Sequence, residues 1–205
     1  IDWQEPAPLP SALIYFKGHK LNQGNKSNQG HASSLSEWKT HHQDALSYSN
    51  EVKSQSVVLV VFYRSHLQSG NTAMFDELLG IIEQEGLVPL AVAVSSLKDD
   101  VSVGLIETLV EKTNAKVILN TTGFAANRVG SPDLASEPTD FQSAFDSPIP
   151  VLQLILSGST QDDWQQQTQG LRSRDVAMQI VLPEMDGRII TRAVSFKALS
   201  HYNET

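Results

Sequence analysis

The sequence predicts an open, mostly parallel α/β sheet with helices on both faces, preceded by an irregular N-terminal segment. Three observations predict it. Residues 57–62 are a continuous apolar run, the pattern of a strand buried on both faces, and 87–94, 117–119 and 151–156 are three further apolar strand candidates, the last carrying Gln153. Between the first three lie stretches whose apolar residues recur at helical spacing. Strands alternating with helices give parallel pairing through right-handed crossovers.

The elements follow in order. Residues 1–10 are proline-punctuated and irregular, and 12–16 are a candidate strand. Residues 20–31 are a polar, Gly-containing loop without an apolar anchor. A helix is expected over 35–48, carrying Leu35, Trp38 and Leu46; its adjacent His41 and His42 point to different parts of the helix surface, which argues against a metal pair. After the first buried strand, 70–85 reads as a helix with Met74, Phe75, Leu78, Ile81 and Ile82 on one face and Gly86 closing it. A second helix carries Val103, Ile106 and Val110, and 124–147 is a long loop with some helix. The closing stretch, 170–197, reads as a short helix, a sharp turn and a last strand. Ser173 is its expected cap, Asp175 sits near the positive end, and Val176, Ile180 and Val181 form its apolar face. Pro183 is expected to stop that helix, Gly187 to permit the reversal, and 189–196 to form the strand. Local composition makes the turn holding Glu184, Asp186 and Arg188 a solvated one with a surface ion pair. The organisation expected is an N-terminal segment (1–54), an α/β domain of Rossmann or flavodoxin type (55–197) and a tail (198–205).

At 205 residues the chain is long enough for one sizeable α/β domain. A net charge of −8 without a basic stripe argues against nucleic acid, and no apolar run is long enough to span a bilayer. The absence of Cys removes thiolate metal sites and cysteine nucleophiles, and fits a reducing compartment, the cytoplasm. Asn120 begins an N-x-T match but ends a buried strand, which discounts glycosylation there. The start of the chain carries no secretion signal, so it is expected to be cut from something longer.

In parallel sheets, ligands bind outside the carboxyl ends of the strands, where strand order reverses. The four strand ends here read Tyr63-Arg64-Ser65-His66, Ser95-Ser96-Leu97-Lys98, Asn120-Thr121-Thr122-Gly123 and Ser157-Gly158-Ser159-Thr160. They offer a rim of donors and acceptors for an oxygen-rich or anionic ligand, with Arg64, Ser65, Thr122, Ser157, Ser159 and Arg188 as the candidate binding residues. His66 is a candidate proton carrier or metal ligand. No G-x-G-x-x-G or G-x-x-x-x-G-K-[ST] occurs, so the chain lacks those phosphate-binding loops. G-x-S-x-G is missing too, and nothing brings Ser159, His66 and a carboxylate into a triad.

Several stretches together resemble one family, the large subunit of class I cobaltochelatase (CobN type), related to the large subunit of magnesium chelatase. They are VVFYRSHLQSGNTAMFDELLGIIEQEGLVPLAVAVSSLKD from Val60, ILNTTGFA from Ile118, PVLQLILSGSTQDDW from Pro150 and GLRSRDVAMQIVLPEMDGRIITRAVSFK from Gly170. The magnesium branch shares the PE-x-DG turn and a Gly-Phe-Ala stretch like that from Gly123; the continuation from Arg188 to Lys197 favours the cobalt branch. The resemblance implies ATP-dependent insertion of cobalt, as substrate, into hydrogenobyrinic acid a,c-diamide during aerobic cobalamin synthesis. It implies a large subunit that holds the tetrapyrrole and two AAA-type partner subunits that hydrolyse the ATP. The family's subunit is several times longer, and its His-Gly-Thr-His-Gly…Leu-Glu motif has no counterpart here, so the chain is expected to be a fragment from the N-terminal half, inactive alone. Within it, Glu184, Asp186 and His66 are the candidates for proton removal, and His66 and Glu184 for metal ligation, as contributors to a site completed elsewhere. A non-catalytic docking domain, a magnesium-protoporphyrin chelatase homologue and a periplasmic-type binding domain are the competing readings.

Overall fold

In a computed structural model of the chain, six strands form one sheet in the order β1-β3-β2-β4-β5-β6. The structure describes residues 9–15, 34–46, 55–123, 149–166, 168 and 170–197. The expected polar loop at 20–31, the 124–147 loop and the 198–205 tail lie outside the described residues. The strands are β1 (Ala12–Tyr15), β2 (Val57–Tyr63), β3 (Val88–Val94), β4 (Val117–Asn120), β5 (Val151–Leu156) and β6 (Ile189–Ser195). Strands β2 to β6 are parallel to their neighbours, and only β1 runs antiparallel, along the outer side of β3. Counting the parallel strands alone gives the flavodoxin-like order 2-1-3-4-5, which reverses between β2 and β4. The predicted fold class is therefore the observed one.

The period-two alternation of β2 divides the core. Val57, Leu59 and Val61 face a cluster holding Trp38, Ile106 and Leu109, which belong to α1 (Leu35–His41) and α5 (Asp100–Thr113). Val58, Val60 and Phe62 face the other layer, with Phe75, Leu79 and Ile82 of α4 (Ala73–Gln84). The short α2 (Gln43–Leu46) follows α1, and α3 (Ser65–Gln68) follows β2 at once. Ser34 caps α1 in a capping box with Glu37, and Trp38 donates its indole N–H to the Pro89 carbonyl at 2.9 Å. Pro89 is tolerated within β3 because β1 pairs only with Ala91 to Val94 and leaves that edge open. Among the described residues, no helix is long and apolar enough to cross a membrane.

Three local expectations need correction. Ile81 is 47% exposed, and Leu79 takes its place in the core, because the buried stripe of α4 runs Phe75, Leu79, Ile82. Ser173 does not cap its helix: α7 (Ser173–Val176) starts one residue earlier, on Arg172 in extended geometry, with no side-chain cap bond. Pro183 does not stop the helix either. The chain widens into a π-turn over Ala177–Val181 and continues as α8 (Leu182–Met185), with Pro183 in the first turn of α8. The π-turn accommodates it: Leu182 N–H donates to Ala177 O, five residues back, and this widened bonding leaves room for the proline ring, which has no N–H of its own to place. Helix α8 then ends in a Schellman motif: Arg188 N–H donates to Pro183 O at 3.1 Å and Gly187 N–H to Glu184 O at 2.9 Å. Gly187, at φ +74°, makes the predicted reversal.

Candidate functional site

The Schellman motif decides where Arg188 goes. It turns Asp186 and Arg188 inward, while Glu184 and Met185 stay outside. The turn is therefore not the solvated one its composition suggests. Arg188 donates to Asp186 Oδ2 at 2.8 Å, and the two side chains are only 2% and 1% exposed. Its other terminal nitrogen donates to Thr122 O at 3.2 Å and to Gln153 Oε1 at 3.0 Å. Burial pulls the guanidinium pKa down, and the Asp186 carboxylate pushes it back up.

Around this pair lies a polar layer beneath the carboxyl ends of β4 and β5. Asn120 donates to Gln153 Oε1 at 2.7 Å and to Thr122 O at 3.0 Å. Thr122 returns its hydroxyl to Asn120 Oδ1 at 3.0 Å. The Gln153 amide donates to Thr122 O and, at 3.3 Å, to Gln179 Oε1 on the π-turn. Asn120, Thr122 and Gln153 are fully buried. Tyr63, at the end of β2, closes the layer by donating its hydroxyl to Gly123 O at 2.8 Å. Burial raises the Tyr63 pKa, and the nearby Arg188 charge and Thr122 hydroxyl oppose the rise.

A second cluster holds the β5 loop. The Asp175 carboxylate accepts from Gly158 N–H at 2.8 Å and from the Ser157 hydroxyl at 3.3 Å. The approach is close enough that a Cβ on Gly158 would stand 3.0 Å from Asp175 Oδ1. Ser157 and Ser159 are buried there, and the Ser159 hydroxyl has no hydrogen-bond partner among the described residues.

The third group sits at the end of β2. Arg64 donates to the carbonyls of Leu9 at 2.8 Å and Pro10 at 2.6 Å, tying the opening stretch to the strand end. Ser65 is exposed, and His66 is half-buried on α3 with its ring 5.0 Å from that of Phe75. Burial lowers the His66 pKa, so its imidazole is neutral near pH 7 and able to accept a proton.

The predicted site residues thus fall into distinct places. Arg188, Asp186 and Thr122 come together in the buried layer, Ser157 meets Asp175, and Ser159 is buried beside Ser157, to whose hydroxyl it donates its N–H. Ser65 and His66 share α3, Arg64 precedes it, and Glu184 stands exposed on α8. Among the described residues, no three His, Asp or Glu side chains are grouped to hold a metal ion. Sequence reasoning missed Asn120, Gln153, Gln179 and Asp175 as members of these clusters. The signal was present for Gln153: an amide in the apolar run VLQLIL must find buried partners.

Sheet order defines the class, an open α/β domain with flavodoxin-like order. The chain belongs to the CobN/Magnesium Chelatase family, whose model matches residues 1–205. It is 43% identical over 169 residues to the aerobic cobaltochelatase subunit CobN of Sinorhizobium sp, covering 82% of this chain and 13% of that protein. It is 34% identical over 202 residues to the subunit of the same name from Pseudomonas aeruginosa, covering 98% of this chain and 14% of that protein. The catalytic subunit of cobaltochelatase from Mycobacterium tuberculosis superposes with a TM-score of 0.62 at 24% identity, over 97% of this chain and 14% of that one, a likeness of fold. The chain therefore spans about a seventh of the length of these relatives.

Proposed function

We propose that this chain is one domain of the tetrapyrrole-holding large subunit of a cobaltochelatase, which inserts cobalt into hydrogenobyrinic acid a,c-diamide in the cytoplasm. Identity of 43% to a CobN subunit carries the choice of cobalt over magnesium. Two AAA-type partner subunits would hydrolyse the ATP, in keeping with the missing phosphate loop.

Insertion requires a base that takes protons from the pyrrolic nitrogens and ligands that pass on the cation. In this reading the neutral His66 imidazole supplies the base at the reversal of strand order, with the exposed Ser65 hydroxyl beside it on α3. Glu184, exposed on α8, is a carboxylate available to a site shared with other parts of the subunit. Arg64, Thr122, Ser157 and Arg188 act from behind, by holding the strand ends in place, and Ser159 is buried in the β5 loop. The test is an absorbance and fluorescence titration of the whole subunit with hydrogenobyrinic acid a,c-diamide, with and without cobalt, and with protoporphyrin as the magnesium-branch control. Saturable corrinoid binding, weakened about tenfold by His66→Ala (about 1.4 kcal/mol), is the expected result. Preference for protoporphyrin would move the chain to the magnesium branch.

One observation favours a second reading, a docking or scaffold domain. Thr122, Ser157, Ser159 and Arg188 are each 5% exposed or less, and the first, second and fourth are bonded inside the protein. Intact macrocycle binding by His66→Ala, with ATP-coupled turnover lost on changing the domain's surface, would establish it.

A further inference from the structure

The two outer strands of the sheet are finished differently. All four residues of β1 are buried, whereas none of the seven residues of β6 is. Four of the seven exposed large apolar side chains among the described residues fall on β6 or on the π-turn and α8 that lead into it: Val181 at 46%, Met185 at 56%, Ile189 at 53% and Val194 at 43%. Trp164, 39% exposed, lies 5.4 Å ring to ring from Phe196, just beyond the end of β6. An outer strand open to water is ordinarily guarded by lysine, proline or inward charge. Here β6 has one charged residue, Arg192, and no lysine or proline.

Relatives that match nearly the whole chain are some seven times longer, so most of their mass lies outside this domain. We propose that the β6 edge, with Val181, Met185, Ile189 and Val194, is the surface on which another segment of the same large subunit packs its own apolar face. The inference rests on the reading of this chain as one domain of that subunit. The strand's shape selects this occupant over a second copy of the chain. Pairing with β5 is irregular twice, between Gln153 and Ile155 and between Ile155 and Leu156, because β6 carries extra residues there. Such bulges bend an outer strand and spoil it as a template for edge-to-edge self-pairing. They leave its apolar side chains free to be covered by packing.

The test uses the whole large subunit with the photo-cross-linker benzoylphenylalanine in place of Ile189 or Val194, and in place of Val101, 64% exposed on α5, as control. Irradiation is expected to link positions 189 and 194, but not 101, to peptides of the same subunit outside this domain. Mixing isotope-labelled and unlabelled subunits separates links within one copy from links between copies. Links between copies, links only to the ATPase subunits, or none above the Val101 control would each overturn the proposal. As a second measurement, Ile189→Asp should lower the melting temperature of the whole subunit by several degrees relative to Val101→Asp, and equal melting temperatures would count against it. A subunit that cross-links as expected but binds no macrocycle overturns the tetrapyrrole-holding reading alone; one that binds macrocycle without cross-linking overturns the surface alone.

Discussion

Removing one half of the Asp186–Arg188 pair should be among the costliest single changes in the domain. In Asp186→Ala the guanidinium keeps Thr122 O and Gln153 Oε1, both uncharged, and loses the carboxylate at 2.8 Å while remaining almost inaccessible to water. Breaking a buried pair from one side costs about 3–5 kcal/mol, because the surviving charge stays buried without its carboxylate. For a chain of this size that is a fall in melting temperature of about 6–20 °C. Changing both partners, as Asp186→Leu with Arg188→Met, should recover most of the loss. Thr122 O and Gln153 Oε1 still receive the Asn120 amide in that background. The assay is a double-mutant cycle by urea denaturation of the wild type, both singles and the double. A cost under about 1 kcal/mol for Asp186→Ala, the value of an exposed pair, would refute the reasoning.

Three further outcomes follow from the same contacts. Burial lowers the pKa of His66, and of His42 with help from His41, so both favour the neutral form in the folded state. That stability is present above the unfolded value near 6.5 and is lost as pH falls below it through the folded values; His66→Gln should flatten the decline in stability from pH 7 to 5, and an unchanged slope would exclude His66 as a source. Asp175→Ala should cost about 1–3 kcal/mol by stranding the buried Ser157 hydroxyl and Gly158 N–H. Thermal melts should also show it less than additive with Gly158→Ala, whose added Cβ meets Asp175 itself, and strict additivity would sink the clamp. Gly187→Ala should cost about 1–2 kcal/mol through backbone geometry alone, since among the described residues no atom beyond the two chain neighbours lies within 4 Å of the new Cβ; a neutral result in denaturant would contradict the left-handed turn.

The strands were legible because burial on both faces leaves a continuous apolar run, and β2, β3, β4 and β5 each lie within one residue of the expected bounds. Helix faces were less so: Ile81 and Leu79 are close neighbours on one helix, and only tertiary packing decides which is covered. The helix past Pro183 was hidden because a π-turn is not a sequence pattern, and its widened bonding makes room for a proline. The burial of Asp186 and Arg188 was the least legible feature. Their partners stand at Thr122 and Gln153, far off in the chain, and a charged pair flanking Gly187 looks the same in a surface turn.

The polar layer also bears on how the parallel strands find their alignment. Antiparallel strands joined by a tight turn inherit their offset from that turn, but β4, β5 and β6 are parallel and cannot. Asn120 stands directly opposite Gln153, and Arg188 reaches across β5 to the end of β4. A slip of β5 by one position would turn Gln153 to the other face and set an apolar side chain against the Asn120 amide. These few side chains work as an alignment key, and the offset of three strands is held by them whatever the length of the chain that joins β4 to β5.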